Sequence, residues 1–357
     1  MKFVCYSNWD QLPESANALF EQGEKDSLFF TRPWFESVTA AALDDDHTML
    51  LACVVDGDKV KAILPLMQSA GVHSGGMKNA GNKTWYSLRH GFTPLYSVLL
   101  ADDDQERVLS CLAEAVDQLA VNGLLLEPVA KDDGKINTLQ RRLETAGFSC
   151  NHIFRDYNWI TRLQEKSYAE YMAARPAHLR NTITRKKRKL ERELGFEIHL
   201  FTGDEVLQAM SDYYVVYNAS WKQNELENAG FLDCFVEGFS KAGWSRLAIL
   251  YIKGQPVAAQ LWFVRHGKAS IFRLAYDKAW RQYSVGSILT SFLMEYVIDT
   301  DKVEEIDFLT GNDAYKQDWM SERRERFLLS CIKSARTEKT AGQYQRFFES
   351  LKRMLKR

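Results

Sequence analysis

Long apolar runs and an excess of charge of one sign are both missing from this sequence. No stretch approaches the roughly 18 uninterrupted apolar residues of a membrane-spanning helix, and the first residues contain no apolar run of signal-peptide length. The 46 Lys and Arg residues nearly balance the 47 Asp and Glu residues, so the net charge of −1 gives no whole-chain attraction to nucleic acid. These absences favour a cytoplasmic globular protein with no transmembrane segment.

Closely spaced cysteines and histidines are missing as well. The six cysteines and seven histidines lie far apart, without the spacings of a zinc site or a redox motif. We therefore expect no bound metal and six buried, reduced thiols: Cys5, Cys53, Cys111, Cys150, Cys234 and Cys331. At 357 residues the chain is long for one hydrophobic core, which favours two domains.

Two distant stretches of the chain share an order of predicted elements. Each begins with a hairpin, turning at residues 56–58 and at residues 253–255, and continues into an amphipathic helix and a short apolar strand. Aligning the turn glycines, Gly57 and Gly254, sets Val60 against Val257. The sequence therefore predicts a mixed α/β fold of two similar units.

We place the boundary between the two domains near residue 153, which gives domains of residues 1–153 and 154–357. The first domain has a glycine-rich insertion over residues 69–83, which is predicted as a loop because it lacks the Lys-Ser/Thr of a phosphate-binding loop. The second domain includes a basic helix over residues 177–194 and an amphipathic basic helix over residues 341–357. The latter is expected to pack on its own domain, and a peripheral membrane contact is the alternative.

The stretch RLAYDKAWRQYSVGS, residues 273–287, predicts a strand, a short turn and the start of a helix. A helix N-terminus has backbone N–H groups without partners and a partial positive charge, and both stabilise an anion. Arg281 would add positive charge, Ser284 and Gly286 would leave the turn uncrowded, and Ser287 could add a hydroxyl. The alternative is an ordinary helix start capped by Ser284.

The corresponding helix of the first unit is preceded by three aspartates, Asp102, Asp103 and Asp104. Their carboxylates would satisfy the helix dipole themselves and would repel a phosphate. If one unit binds a phosphorylated ligand, we therefore expect it to be the second.

The order of ASIFRLAY, RQYSVG, an apolar helix and IDFLTGNDAYKQDW resembles the C-terminal half of the FemAB-like branch of the GNAT acyltransferase superfamily. Within that branch it is similar to bacterial BioF2-like acetyltransferases and CelD-type cellulose-biosynthesis proteins. Arg281 and Gly286 match the pyrophosphate signature Arg/Gln-x-x-Gly-x-Gly/Ala, and Ser284 replaces its first glycine. The resemblance extends from near Phe29 to the last predicted strand, RFLLSCIKSA.

The resemblance implies a tandem GNAT fold with a degenerate first unit and a second unit that binds acetyl-CoA or another acyl-CoA. The pantetheine arm is expected in a gap where the fourth and fifth strands of the second unit splay apart, and the pyrophosphate on the following helix start. The cofactor-binding residues that it implies are Leu274, Ala275, Tyr276, Arg281, Ser284, Val285, Gly286 and Ser287.

Acyl transfer from a thioester to an amine needs a deprotonated amine, donors for the oxyanion and a proton for the leaving thiolate. Asp277 could accept the amine proton, with a structural role in the turn as the alternative. Asp313 and Tyr315 follow the fifth strand, at the strand end where α/β active sites tend to lie. By analogy with GNAT enzymes, Tyr315 would protonate the thiolate, and packing on the next helix is the alternative.

Three basic residues are candidates for substrate binding. Lys316 could bind a phosphate or carboxylate of the acceptor, and its pairing with Tyr315 is typical of the family. Arg180 and Arg185 lie in the basic run RNTITRKKRKLERE, which is interpreted either as a solvated helix face or as an anion site.

Together, these patterns favour an acyl-CoA-dependent N-acyltransferase that acts on an amine. The resemblance suggests a small or nucleotide-linked amino sugar of envelope or exopolysaccharide synthesis as the acceptor. Two alternatives stay open. One is a Fem-type transferase that uses aminoacyl-tRNA, and the other is a non-catalytic scaffold of a polysaccharide-synthesis complex.

Overall fold

A computed structural model describes residues 1–43, 47–69, 84–119, 121–164, 167–221 and 229–333. Within these ranges the chain forms two compact units. Unit 1 contains residues 1–156 and the described residues from 325 onward, and unit 2 contains residues 157–324. Residues 70–83 of the predicted insertion, and the predicted helix over residues 341–357, lie outside the described residues.

Unit 1 is a mixed sheet with helices, in the strand order β1-β2-β3-β4-β6-β13-β7. Its elements are β1 (Lys2–Tyr6), α1 (Asn17–Asp26), α2 (Arg32–Ala42), β2 (His47–Asp56), β3 (Lys59–Ser69), β4 (Thr84–Ser87), β5 (Leu99–Leu100), α3 (Gln105–Gln118), β6 (Gly123–Ala130), α4 (Gly134–Thr145) and the first part of β7 (Phe148–Arg162). The strand β13 (Glu322–Lys333) completes the sheet by pairing antiparallel with β6.

Unit 2 repeats this plan, in the strand order β7-β12-β11-β10-β9-β8. Its elements are α5 (Tyr168–Ala173), α6 (Ala177–Glu193), β8 (Glu197–Thr202), α7 (Glu205–Ala219), α8 (Ala229–Lys241), β9 (Ser245–Ile252), β10 (Gln255–Arg265), β11 (Lys268–Tyr276), α9 (Val285–Asp299), β12 (Glu305–Thr310) and α10 (Lys316–Trp319). The second part of β7 pairs antiparallel with β12.

Both predicted hairpins are present, but their alignment differs by one residue from the predicted one. The turns are closed by the pairs Asp56–Lys59 and Ile252–Gln255, so each hairpin has a two-residue turn. Gly57 is the first turn residue and Gly254 is the second, and both have positive φ. Counting from the pairs that close the turns aligns position 60 with position 256, whereas aligning the two glycines sets position 60 against position 257. The two alignments differ because glycine can adopt the left-handed backbone at either position of a two-residue turn.

The helices α3 and α9 follow these hairpins, as predicted. Apolar residues at helical spacing explain why both form: α3 buries Val108, Leu112 and Val116, and α9 buries Val285, Ile288, Leu289, Leu293 and Val297. Because α9 is buried along most of its length, its first turn has a fixed position relative to the sheet of unit 2.

The chain returns to unit 1 after unit 2, which differs from the predicted second domain of residues 154–357. Residues 326–332 of β13 pair with β6, so they belong to unit 1. Local sequence patterns define the strand itself but carry no information about which of two similar sheets it joins.

The expectation of six buried thiols was wrong. Cys150 and Cys331 form a disulfide, while Cys5 and Cys234 are exposed. The two bonded residues are 181 positions apart, and only the tertiary pairing of strands brings them together. None of the helices in the described part of the chain combines the length and apolar character that crossing a lipid bilayer requires.

Candidate functional site

The strands β11 and β12 of unit 2 separate after a short parallel contact. They are paired only from Lys268 and Glu305 to Ser270 and Asp307. Beyond Ser270, β11 stays paired with β10 up to Tyr276 on its other side. The edge of β11 from residue 271 to residue 276 therefore faces a gap, which is the arrangement that the resemblance implied.

A backbone irregularity in β12 begins where the gap begins. The register between β12 and β7 shifts between Asp307 and Thr310, and Leu309 has a φ of 50°, in the left-handed region. Asp307 supports this turn, because its Oδ1 accepts the Leu309 N–H at 2.6 Å and the Asn158 amide at 2.5 Å. Its Oδ2 accepts from Arg324 at 3.0 Å. Sequence reasoning missed this network, whose members are distant in the chain.

The start of α9 lies at the other end of β11. Ser284 is the N-cap residue and has a φ of 55°, and its side chain makes no capping hydrogen bond. The capped-helix alternative is therefore wrong. The first N–H groups of an α-helix have no acceptor within the helix. In α9 these are the N–H groups of Val285, Gly286 and Ser287, and the Ser284 side chain does not cap them.

Gly286 lies against the end of β11. A Cβ at this position would lie 3.0 Å from Cδ1 of Tyr276 and 3.8 Å from Cδ1 of Leu274. A larger residue would therefore push Tyr276 away from the helix start. The Tyr276 ring also contacts Trp221, with ring centroids 4.6 Å apart. Trp221 is 47% exposed, so the aromatic pair borders the gap from the end of α7.

A 3₁₀ helix, Lys278–Tyr283, connects β11 to α9 and carries two predicted residues. Asp277 caps this helix, since its Oδ1 accepts the Ala279 N–H at 2.9 Å, as the structural alternative for this residue describes. Arg281 is exposed and precedes the turn, so its guanidinium can reach solvent beside the start of α9. Participation of Asp277 in proton transfer stays a prediction.

The basic helix α6 packs on this 3₁₀ helix, as no sequence pattern had indicated. Lys186 Nζ donates to the Gln282 carbonyl at 2.5 Å, and the Tyr283 hydroxyl donates to Glu193 at 3.1 Å. Lys189 also lies over the Tyr283 ring, 5.0 Å from its centroid. The helix therefore fixes the turn and places positive charge beside it.

The two arginines predicted as anion contacts differ in their surroundings. Nη1 of Arg180 donates to the backbone carbonyls of Ala173 at 2.6 Å and Arg175 at 2.8 Å, so this atom stabilises the link between α5 and α6. Arg185 is exposed to solvent. Binding of an anion by either residue stays a prediction.

Lys316 has a different environment from the one predicted. It is only 4% exposed, and Nζ donates to the carbonyls of Phe308 at 3.0 Å and Thr310 at 2.6 Å. Asp313 Oδ2 lies 3.7 Å from the same nitrogen. These partners match the three donors of an ammonium group, so the geometry indicates that Lys316 fixes the loop after β12 rather than binding a substrate.

Tyr315 lies on this loop, directly before α10, and its side chain is 42% exposed. The Phe308 ring lies nearby, with centroids 6.3 Å apart. Partial burial, followed by the negative charge of Asp313, raises the pKa of the Tyr315 phenol. A phenol of the usual pKa is already protonated at neutral pH, so the raised pKa leaves the Tyr315 hydroxyl a hydrogen-bond donor and makes it a weaker acid.

The structure thus brings most of the predicted residues to one edge of unit 2. The gap opens toward the carboxyl ends of the parallel strands β11 and β12, where the start of α9 follows β11 and the loop that carries Tyr315 follows β12. Across the described ranges, no group of three or more His, Cys, Asp or Glu side chains is arranged to hold a metal ion.

Comparisons with known proteins agree with this geometry. Residues 177–317 match a family model described as an acetyltransferase (GNAT) domain. The chain is similar to the crystal structure of FemX, at 10% identity over 93% of this chain and 97% of that chain, with a TM-score of 0.63. No curated protein sequence matches it.

Two further solved structures share the fold. One is a conserved protein of unknown function from Bacteroides thetaiotaomicron, at 11% identity over 93% of this chain and 100% of that chain, with a TM-score of 0.56. The other is L-PGS from Bacillus licheniformis, at 13% identity over 83% of this chain and 87% of that chain, with a TM-score of 0.51. At these identities the likeness is one of fold alone. The family model and the shared fold confirm the predicted resemblance to the FemAB-like branch of the GNAT superfamily, and the narrower resemblance to BioF2-like and CelD-type proteins stays a prediction.

Proposed function

We propose that the chain is an acyltransferase of the GNAT superfamily, whose domain model matches residues 177–317, and that it transfers an acyl group from acyl-CoA to an amine. The observation that carries this proposal is the gap between β11 and β12, which ends at the start of α9. An extended pantetheine arm can add hydrogen bonds along the edge of β11 that faces the gap, as a further strand would. Acetyl-CoA is the simplest donor of this kind.

The start of α9 fits the pyrophosphate of such a donor. The backbone N–H groups of residues 285–287 and the helix dipole both favour an anion. The absence of a side chain at Gly286 keeps Tyr276 close and the helix start uncrowded. Arg281 would add a charge-assisted hydrogen bond.

Tyr315 is the proposed proton donor. When bound, acyl-CoA supplies an activated thioester, and the transfer of its acyl group leaves a thiolate that needs a proton. The Tyr315 phenol carries a proton at neutral pH, as an ordinary tyrosine does, and can donate it as the thiolate forms. The loop that carries Tyr315 is stabilised by Lys316 and Asp307.

For the acceptor we propose an amine, with a small or nucleotide-linked amino sugar of envelope or exopolysaccharide synthesis as the first class to test. This choice rests on the resemblance to BioF2-like and CelD-type proteins. Arg185, exposed on α6, is the residue proposed to bind an anionic group of the acceptor.

A Fem-type transferase that uses aminoacyl-tRNA is the second candidate. The similarity in fold to FemX motivates it. Retarded migration of charged tRNA, with no response to any CoA, would favour this candidate over the first.

Stabilisation of the purified protein against heat by CoA, acetyl-CoA and longer acyl-CoAs tests the proposal. We expect stabilisation by CoA, and we expect Arg281→Ala to weaken CoA binding roughly tenfold or more, because a hydrogen bond to a charged group contributes about 1.5 to 3 kcal/mol. Lys278→Ala is the matched control, since Lys278 is exposed on the same 3₁₀ helix.

No response to any CoA by the wild-type protein would contradict the proposal and favour the tRNA-dependent or scaffold alternatives. A cytoplasmic location, where acyl-CoA is available, is part of the same proposal. The Cys150–Cys331 disulfide counts against it, because disulfides are rare in reducing compartments. Cell fractionation distinguishes a cytoplasmic location from an oxidising compartment.

A further inference from the structure

A glutamine side chain is buried between the sheet of unit 2 and the start of α9. Gln260, in β10, is 0% exposed, and its Nε2 donates to the Gly286 carbonyl at 3.0 Å and to Thr290 Oγ1 at 2.7 Å. Its Oε1 accepts the indole N–H of Trp262 at 2.9 Å. The amide therefore uses both of its N–H groups and its carbonyl oxygen within the core.

Burial of an amide among apolar side chains is costly unless its hydrogen bonds are made. The first turns of α9 are apolar here, since Val285, Ile288 and Leu289 are all buried in the core of unit 2. A leucine or methionine would fill the same volume without this requirement. The amide at this position therefore calls for a reason other than packing.

The Gly286 carbonyl links Gln260 to the proposed pyrophosphate site. This carbonyl and the Ser287 N–H belong to the same peptide group, so a donor on the carbonyl side fixes the direction in which the N–H points. Hydrogen bonding to a carbonyl also polarises the peptide group and strengthens its N–H as a donor. Thr290 Oγ1 donates to the same carbonyl at 3.0 Å.

Unit 1 provides an internal comparison for this position. Counted from the hairpin turn, Gln260 corresponds to Leu64, since Gln260 pairs with Ala248 and Leu64 with Ala52 at the same distance from their turns. Leu64 is also fully buried. The unit whose helix start carries carboxylates thus has a hydrocarbon where unit 2 has the amide.

We propose that Gln260 is a positioning residue for the acyl-CoA site, which acts through the Gly286 carbonyl on the backbone donors that hold the pyrophosphate. This inference rests on the proposed function. It assigns to Gln260 a role in the affinity for the anionic part of the donor, and none in the affinity for the pantetheine part.

Calorimetric titration of Gln260→Leu with CoA and with pantetheine, which lacks the pyrophosphate, tests the proposal. We expect the dissociation constant of CoA to rise about tenfold, which corresponds to the loss of one hydrogen-bonded network of ordinary strength. The dissociation constant of pantetheine and the denaturation midpoint of the free protein should both stay unchanged. Gln255→Leu is the control, because Gln255 is exposed at the start of the same strand.

Three outcomes would overturn the inference. Unchanged CoA affinity in a folded Gln260→Leu protein removes the role, and an equal loss for CoA and pantetheine makes it purely structural. A wild-type protein that binds no CoA overturns the proposed function together with the inference. If Gln260→Leu does not fold, Thr290→Val replaces it, with a smaller loss that must again be specific to CoA.

Discussion

The starts of α3 and α9 have similar N-cap conformations but differ in the charge of their first-turn side chains. Their N-cap residues, Asp104 and Ser284, have φ values of 56° and 55°, and neither side chain caps its helix. In the first turn, α3 carries Glu106, which pairs with Arg142 at 2.5 Å, where α9 carries Gly286. Two helix starts with similar N-cap conformations therefore differ in charge, because unit 1 places a carboxylate in the first turn where unit 2 has a glycine.

The two units also differ in the backbone contacts beyond their parallel strand pairs, β4–β6 in unit 1 and β11–β12 in unit 2. In unit 1, Ser87 Oγ donates to the Glu127 carbonyl at 2.7 Å and accepts its N–H at 3.1 Å, just beyond the last pair of β4 and β6. The N–H of Tyr96 donates to the Pro128 carbonyl at 2.7 Å. In unit 1 these backbone groups are thus bonded to the chain itself, whereas in unit 2 the pairing between β11 and β12 ends at Ser270 and Asp307.

The largest effect is expected when unit 2 receives the residue of unit 1. In Gly286→Glu, the new side chain would meet Tyr276 at 3.0 Å from its Cβ and would place a carboxylate at the proposed pyrophosphate site. Because like charges in close contact cost several kcal/mol, we expect CoA affinity to fall about a thousandfold in a calorimetric titration.

Gly238→Glu is the control for this change. Gly238 lies in α8, and a Cβ there would meet nothing within 4 Å. Equal CoA affinities for Gly286→Glu and the wild type would remove the main chemical difference that we infer between the two units.

The second largest effect is expected in the loop that follows β12 of unit 2, which corresponds to the loop that follows β6 of unit 1. In unit 1 the residue before α4 is Asp133, a helix cap, whereas in unit 2 the residue before α10 is Tyr315. We expect Tyr315→Phe to lower kcat about a hundredfold, a usual contribution of a general acid, without changing CoA affinity.

The pH dependence gives a separate check on Tyr315. Because its pKa is raised above the usual value of about 10, the phenol should lose its proton only above that pH. The wild-type enzyme should therefore show no loss of kcat from this group below about pH 10. A phenylalanine variant with unchanged kcat would assign Tyr315 to packing on α10.

A smaller effect is expected from the residue that holds this loop. In Lys316→Met, the carbonyls of Phe308 and Thr310 lose their donor inside the protein. We expect the free energy of unfolding to fall by about 2 kcal/mol, measured by urea denaturation. Lys278→Met, at an exposed position, should leave it unchanged. A stable Lys316→Met protein that loses only acceptor affinity would restore the substrate-binding role.

The smallest effect is expected at Ser284. Replacement by glycine relieves a left-handed residue but gives the unfolded chain more freedom, so the two contributions nearly cancel, to within about 1 kcal/mol. CoA affinity in Ser284→Gly should stay within about twofold, since the hydroxyl makes no cap and the backbone is unchanged. A tenfold loss would show that the Ser284 hydroxyl itself contacts the phosphate.

Much of the fold could be predicted because it depends on local patterns. Alternation and turn glycines define the hairpins, and apolar residues at helical spacing define α3 and α9. The alignment of the repeat shifted by one residue because Gly57 and Gly254 occupy different positions of their turns. The helix start is predicted from Arg281 and the small residues that follow it, and the aspartates of unit 1 favour unit 2 as the unit that binds a phosphorylated ligand.

The remaining features depend on contacts between residues that are distant in the chain. Gln260 and Lys316 are polar residues whose burial follows only from the packing around them. The Asn158–Asp307 pair joins residues 149 positions apart. No property of a single segment indicates such partners, so the sequence alone predicts a substrate-binding role for Lys316.

The late position of β13 has a consequence for dissecting the protein. On the ribosome, β6 is synthesised long before β13. Until residue 332 emerges, the N–H and C=O groups of β6 that pair with β13 in the folded protein have no partner strand. A nascent or truncated chain that stops before β13 therefore presents an open strand edge, which favours aggregation. Unit 2 is a continuous segment that can be cut out of the gene, whereas unit 1 requires the two ends of its coding sequence to be joined.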